Sequence, residues 1–288
     1  MRNKVAIEGL RRLLANARYE VLPTASCEQM VLESLPPGFT VTITASPSKG
    51  LEATLDLAER LAGHGYDVVP HLAARMVAGR SELAEIVARL VPLGIRTVFV
   101  PAGDADPPAG NYQASLDLLE DLAELGRPFP NVGVTGYPES HPSITDDLTV
   151  QAMWDKRHFA TEVVSNLTFD PATLQTWLRR MRERGITLPL LVGVPGPVDR
   201  TKLLMMATKI GVGESTRFLA KHRGTLTRLA APGGFTGEKF LERSAQSLTA
   251  PNALVAGLHV FTFNQVAETE RWRQTMLGRL GGPIGAVS

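Results

Sequence analysis

From end to end the chain alternates short apolar runs with longer stretches whose apolar residues recur at helical spacing. Val5, Ile7, Leu10, Leu13 and Leu14 form the first such stripe and predict an amphipathic helix ahead of the first strand. Strands are expected at 19–23, 40–45 (TVTITA), 67–72 (DVVPHL), 96–103 (RTVFVPAG), 131–137 (NVGVTGY), 162–169 (EVVSNLTF), 188–195 (LPLLVGVP) and 257–263 (GLHVFTF). The intervening periodicity predicts helices near 49–62, 82–93, 112–125, 147–158 and 265–278, with a largely helical region over 200–250. Ser48 can cap the helix at 49. Asp170 followed by Pro171 opens another, which Gly185 stops, because an N-cap oxygen is followed by a residue with no N–H to satisfy.

Eight apolar strands separated by long crossovers imply a parallel sheet covered on both faces. Eight such units close into a (β/α)₈ TIM barrel, read here as one domain over 1–288 with an N-terminal capping helix; an open doubly wound sheet is the structural alternative. In a barrel, chemistry belongs at the C-terminal ends of the strands. Glu20, Thr44, His71, Asp104, Tyr137, His141, Asn166 and Asn264 are the polar residues expected there. Each also has a plain structural reading: a carboxylate in an ion pair, a satisfied histidine, a turn aspartate or a core amide.

Composition narrows the classes. The 288 residues are 44% hydrophobic with a formal charge of +1, which excludes a disordered chain and gives no overall field toward nucleic acid. No apolar run reaches membrane-spanning length. The lone Cys27 excludes an intramolecular disulfide and fits a reducing, cytoplasmic setting. No HExxH, P-loop or GxSxG string occurs, GVGES at 211–215 does not meet the dinucleotide fingerprint, and the histidines lack metal-ligand spacing, so no metal is expected. Segment 199–243 holds nine Lys/Arg against four acids. It reads either as a solvated surface or as an anion site between the last two strands.

Taken in order, the strand ends say more than any one of them. YEVLP at 19–23, TVTITAS at 40–46, Pro70-His71-Leu72, Ala102-Gly103-Asp104, YPESHP at 137–142, VSNLTFD at 164–170, GVPGPV at 193–198 and HVFTFN at 259–264 stand in sequence. This series resembles the methylenetetrahydrofolate reductase family in its short, catalytic-barrel form. The family's FEFFP, PHLT, RGD, YPExHP, ITQFFFD and HFYTLN occur there in the same order. The resemblance implies reduction of 5,10-methylenetetrahydrofolate to 5-methyltetrahydrofolate by NAD(P)H, with NADH favoured, through FAD lying across the barrel mouth. It implies Glu20 as the acid that protonates N10 and opens the substrate ring, and Asp104 beside the pterin and the flavin. It also implies Thr44, His71, Gly103, Tyr137 and His141 as the flavin shell, with Tyr112 and Lys156 as further contacts, and Asn166 at the folate. Two positions depart: Ala102 stands for the arginine of RGD, and Asn166 for the glutamine of ITQ. Because the opened substrate is itself a hydride acceptor, direct transfer from NADH is a second version. A non-catalytic folate- or flavin-binding barrel, acting as a sensor or partner, is the alternative of another class. Folate is the expected small-molecule partner, with neither nucleic acid nor membrane.

Overall fold

The computed structural model describes residues 4–139, 145–198 and 237–281. His141 and most of the basic segment lie outside the described residues. The chain opens with α1 (Lys4–Ala15), β1 (Ala17–Val21), α2 (Cys27–Ser34), β2 (Thr40–Ile43), α3 (Gly50–Gly63), β3 (Asp67–Pro70) and α4 (Arg80–Leu90). It continues through β4 (Thr97–Phe99), α5 (Ser115–Glu124), β5 (Asn131–Gly136), α6 (Asp146–Lys156), β6 (Glu162–Ser165) and α7 (Pro171–Glu183). The last described elements are β7 (Leu190–Pro195), α8 (Gly237–Leu248), β8 (Val255–Phe261) and α9 (Val266–Arg279).

The eight strands form one parallel sheet in the order β3-β2-β1-β8-β7-β6-β5-β4. The two ends meet through a bridge between His71 and Phe99 and a 2.8 Å bond from the Leu72 N–H to the Phe99 carbonyl. This is a (β/α)₈ barrel, as the pattern predicted. Alternation along each strand divides two cores. Tyr19, Val21, Val41, Ile43, Val134 and Val163 point outward into the layer shared with the helices. Val69, Phe99, Val164 and Leu191 form a separate cluster in the barrel lumen. Below the catalytic end, Arg18 of β1 spans the lumen to Glu162 of β6 as a two-pronged ion pair, its second prong 2.9 Å long.

Some boundaries differ from expectation. The strands at 40–45, 67–72, 96–103 and 162–169 leave the ladder two to four residues early, because the chain turns outward to build the mouth. The first strand lies two residues earlier than predicted. α2 was not anticipated; it buries little beyond Cys27 and Val31, so its apolar stripe is faint. Ser48 does not cap α3: its hydroxyl meets that of Ser46, and the helix begins at Gly50 with φ +76°. The Asp170 cap is present, with its Oδ2 accepting from the Thr173 N–H at 3.2 Å. α1 buries Leu10, Leu13 and Leu14 against α8 and β8, while Val5 is exposed. Among the described residues no helix is long and apolar enough to cross a membrane.

Candidate active site

β1 and β8 are hydrogen-bonded neighbours in a register that pairs Arg18 with His259 and Glu20 with Phe261. Arg18 and Glu20 alternate with the outward Ala17, Tyr19 and Val21 and so enter the lumen. His259 does the same on β8, one layer deeper than Glu20. Its Nε2 lies 2.9 Å from Glu20 Oε2. From β3, His71 brings its Nε2 to 3.9 Å from the same oxygen, too far for a hydrogen bond. The glutamate side chain keeps 15% exposure, whereas His71 and His259 keep 7% and 2%. A carboxyl thus stands at the mouth with two buried imidazoles behind it.

The rings are fixed by aromatics. His71 packs on Phe99 with centroids 4.7 Å apart, and His259 meets the edge of Phe261 at 4.8 Å. Burial pushes the His71 imidazole down from 6.5 to about 4, partly offset by Glu20 and deepened by His259, so the ring is neutral near pH 7.

The segment following β8 secures Glu20 from the backbone side. Thr262 donates its hydroxyl to the Glu20 carbonyl at 2.6 Å. Asn264 accepts from the Leu22 N–H at 2.8 Å and donates to the Leu22 carbonyl and to Thr24 Oγ1, each at 3.1 Å. Phe263 and Asn264 both lie in the left-handed region, with φ of +52° and +60°. That conformation is unfavourable for a bulky residue, and here it turns Asn264 back onto β1. From outside the barrel, Tyr19 donates its hydroxyl to Glu270 of α9, which Arg273 also holds at 2.8 Å. The strand carrying Glu20 is therefore tied on both faces.

On the β4–β5 side, Asp104 is exposed and sits close enough for its charge to act on Tyr137, whose phenol burial already pushes up. Gly103 has φ +85°, and a Cβ there would come within 2.9 Å of the Ala73 Cβ, so the turn requires glycine. The loop is pinned by bonds from the Arg75 N–H to the Ala102 carbonyl at 2.9 Å and from Arg75 Nε to the Ala105 carbonyl at 2.8 Å. Asn166 follows β6; its N–H bonds the Gly136 carbonyl at 2.7 Å, and its Oδ1 accepts from the Leu167 N–H. Thr44 lies just past β2, with its Oγ1 buried and without a hydrogen-bond partner among the described residues.

Two expected contacts are not brought to this mouth. Tyr112 is buried under α5 and donates its hydroxyl to Asp121 at 2.6 Å. Lys156 ends α6, where the chain returns toward the start of β6 rather than its catalytic end; burial pushes its ammonium down to about 8. Conversely, two residues stood inside recognisable strings without being singled out. His259 begins HVFTFN. Glu139 of YPESHP accepts from Thr168 Oγ1 at 3.2 Å, the Asp170 N–H at 3.0 Å and the Phe169 N–H, tying the loop after β5 to the loop after β6. Their partners are remote in sequence, so only the strings themselves marked them. Among the described residues no cluster of His, Cys, Asp or Glu could hold a metal ion.

A parallel (β/α)₈ barrel whose carboxyl and imidazole groups gather at the C-terminal ends of its strands has the layout of a barrel enzyme, and the family it matches is one of oxidoreductases. The family described as Methylenetetrahydrofolate reductase matches residues 24–270, and the chain belongs to that family. A probable methylenetetrahydrofolate reductase (NADPH) of Caenorhabditis elegans is 24% identical over 139 residues, covering 45% of this chain and 20% of the relative. The chain thus aligns with about a fifth of that relative's length. Among solved structures, a putative lyase/mutase from Burkholderia cenocepacia J2315 covers 96% of this chain and 90% of its own, at 13% identity and a TM-score of 0.49. Oxaloacetate acetylhydrolase in complex with 3,3-difluorooxalacetate covers 84% of this chain and 94% of its own, at 14% identity and a TM-score of 0.46. Likeness at that level carries no functional argument. Glu20 lies ahead of the family-matched span.

Proposed function

We propose that this chain reduces 5,10-methylenetetrahydrofolate to 5-methyltetrahydrofolate with NAD(P)H, using Glu20 as the acid. The observation that carries the reading is a partly exposed carboxyl at the barrel mouth, backed by two buried imidazoles of which one is neutral and the other within 2.9 Å. The substrate's methylene bridge is a poor hydride acceptor while it is locked in a five-membered ring. A proton passed from Glu20 to N10 lets the C–N10 bond break, its electron pair staying on N10, while the N5 lone pair forms an iminium. Reduced nicotinamide supplies the hydride that turns this carbon into a methyl group. General acid catalysis of this kind contributes about 10²–10⁴ in rate. Asp104 orients the pterin from the opposite side of the mouth, and Asn166 contacts the folate.

FAD, which the family resemblance implies, does not fit the residues present. Ala102 offers no guanidinium, the Tyr112 hydroxyl is engaged by Asp121, and Lys156 lies at the far end of its helix. Thr44 Oγ1 and His71 Nε2 are closed off from solvent. The hydride reaches folate directly. Anaerobic incubation with NADH or NADPH and methylenetetrahydrofolate, with and without added FAD, tests this. Methyl-folate formed equally in both arms, by protein lacking a visible flavin band, is the expected result. Turnover that requires FAD overturns the direct transfer, and no turnover with either nucleotide overturns the reductase. Glu20→Gln retaining full turnover removes Glu20 from the role of acid.

A further inference from the structure

We infer that Glu20 and His259 act as one acid, holding a single exchangeable proton between Oε2 and Nε2. The inference rests on the reading of Glu20 as proton donor and names the group that keeps it loaded. A carboxyl and an imidazole in hydrogen-bond contact exchange protons as a pair rather than singly. Sharing lets the pair be loaded as carboxylic acid and imidazole, or as carboxylate and imidazolium, so either group can carry the proton bound for N10.

Three observations support the pair. The 2.9 Å contact joins side chains on adjacent strands whose backbone positions the ladder holds in register. His259 Nδ1 is buried and meets no hydrogen-bond partner among the described residues, so no second bond fixes its tautomer and Nε2 can either donate to Glu20 or accept from it. His71, the other imidazole facing that oxygen, stands at 3.9 Å and is neutral, so it walls the pair without competing for the proton.

Among the described residues, the remaining charges that face the pair are Arg18, in register with His259 on β1, and Glu162 of β6, bound to Arg18. Because they neutralise one another, neither supplies nor withdraws a net charge from the floor of the site. On each turnover one proton leaves the pair for N10 and leaves carboxylate and neutral imidazole; one proton from solvent reloads it. His259 touches neither folate nor nucleotide in this scheme and is a positioning residue that sets the strength of the acid.

The test is His259→Gln, whose side-chain amide reproduces a donor to Glu20 but has no basic nitrogen to take up the shared proton. Near pH 8 kcat should fall about ten-fold or more. The pH above which kcat declines should move down, because the imidazole no longer shares the proton. KM for folate should change less than about two-fold, since the variant slows chemistry and leaves the folate contacts in place. An unchanged pH profile in a folded His259→Gln protein overturns the pair. A measurement on the native chain stands independently of whether that variant folds. The ¹⁵N signals of the His259 ring should titrate in step with kcat and lose that step in Glu20→Gln. Signals indifferent to Glu20→Gln overturn the inference. If Glu20→Gln is inactive while His259→Gln keeps the native profile, the pair fails and Glu20 stands. If Glu20→Gln is fully active, the reading beneath it fails as well.

Discussion

The Arg18–Glu162 pair under the site offers the sharpest test of how the barrel is held. Glu162→Leu removes the carboxylate and strands the guanidinium among Val69, Phe99, Val164 and Leu191 in the lumen. Removing one partner of a fully buried pair costs about 3–5 kcal/mol. Here the side chains retain 21% and 13% exposure, so water reaches the stranded charge and the expected loss is about 2–3 kcal/mol. For a chain of this size that is a fall of about 3–5 °C in Tm. Arg18→Met should cost a similar amount by stranding the carboxylate. The double variant should cost clearly less than the two together, because it leaves no unpaired charge, and the coupling should exceed about 1 kcal/mol. Urea unfolding followed by circular dichroism at constant m-value is the assay. Additive losses, or single losses under about 0.5 kcal/mol, refute the claim that this pair holds β1 to β6.

Three further outcomes follow from single contacts. Gly193→Ala would set a Cβ 2.2 Å from the Ser165 carbonyl oxygen and 2.8 Å from that of Asn166, both backbone atoms; a loss of about 3 kcal/mol or more is expected in thermal melts, and a native melt would contradict the packing of β7 on β6. Asn264→Ala removes three hydrogen bonds to the exit of β1 and places alanine at φ +60°; kcat should fall more than ten-fold, about the 1.4 kcal/mol equivalent of a misplaced acid, with Tm down by only a few degrees. Equal activity in that variant would show that Glu20 does not depend on the clamp. Because His71 is held near 4 when folded against 6.5 when free, its contribution to stability is complete above about pH 6.5 and is lost as pH falls toward 4. Between pH 7.5 and 4.5 it should account for about 2–3 kcal/mol of acid destabilisation, which His71→Gln should remove; identical slopes in the two proteins would sink that assignment.

Much of this was legible in the linear chain. Short apolar runs mark the eight strands, which are buried on both faces, and period-3.6 stripes mark most helices, which are buried on one; burial imposes both patterns locally, whatever the partner. The Asp170-Pro171 start of α7 was readable for the same reason, since its cap reaches only to Thr173. Glu20, His71 and Asp104 could be nominated because they end apolar strands. α2 was not, because a helix that buries so little leaves a faint stripe.

What the tertiary structure decided is which of those residues meet. Glu20 and His259 are 239 positions apart, and Arg18 and Glu162 are 144 apart. Their contacts exist because sheet order and register bring β8 beside β1 and place β6 across the lumen. Tyr112, by contrast, meets Asp121 within its own strand–helix unit, and Lys156 sits at the far end of its helix. Hydrophobic periodicity is a property of neighbours along the chain and survives in the sequence. A hydrogen bond between remote side chains depends on how the ring of strands closes, and that is fixed only when all eight have packed.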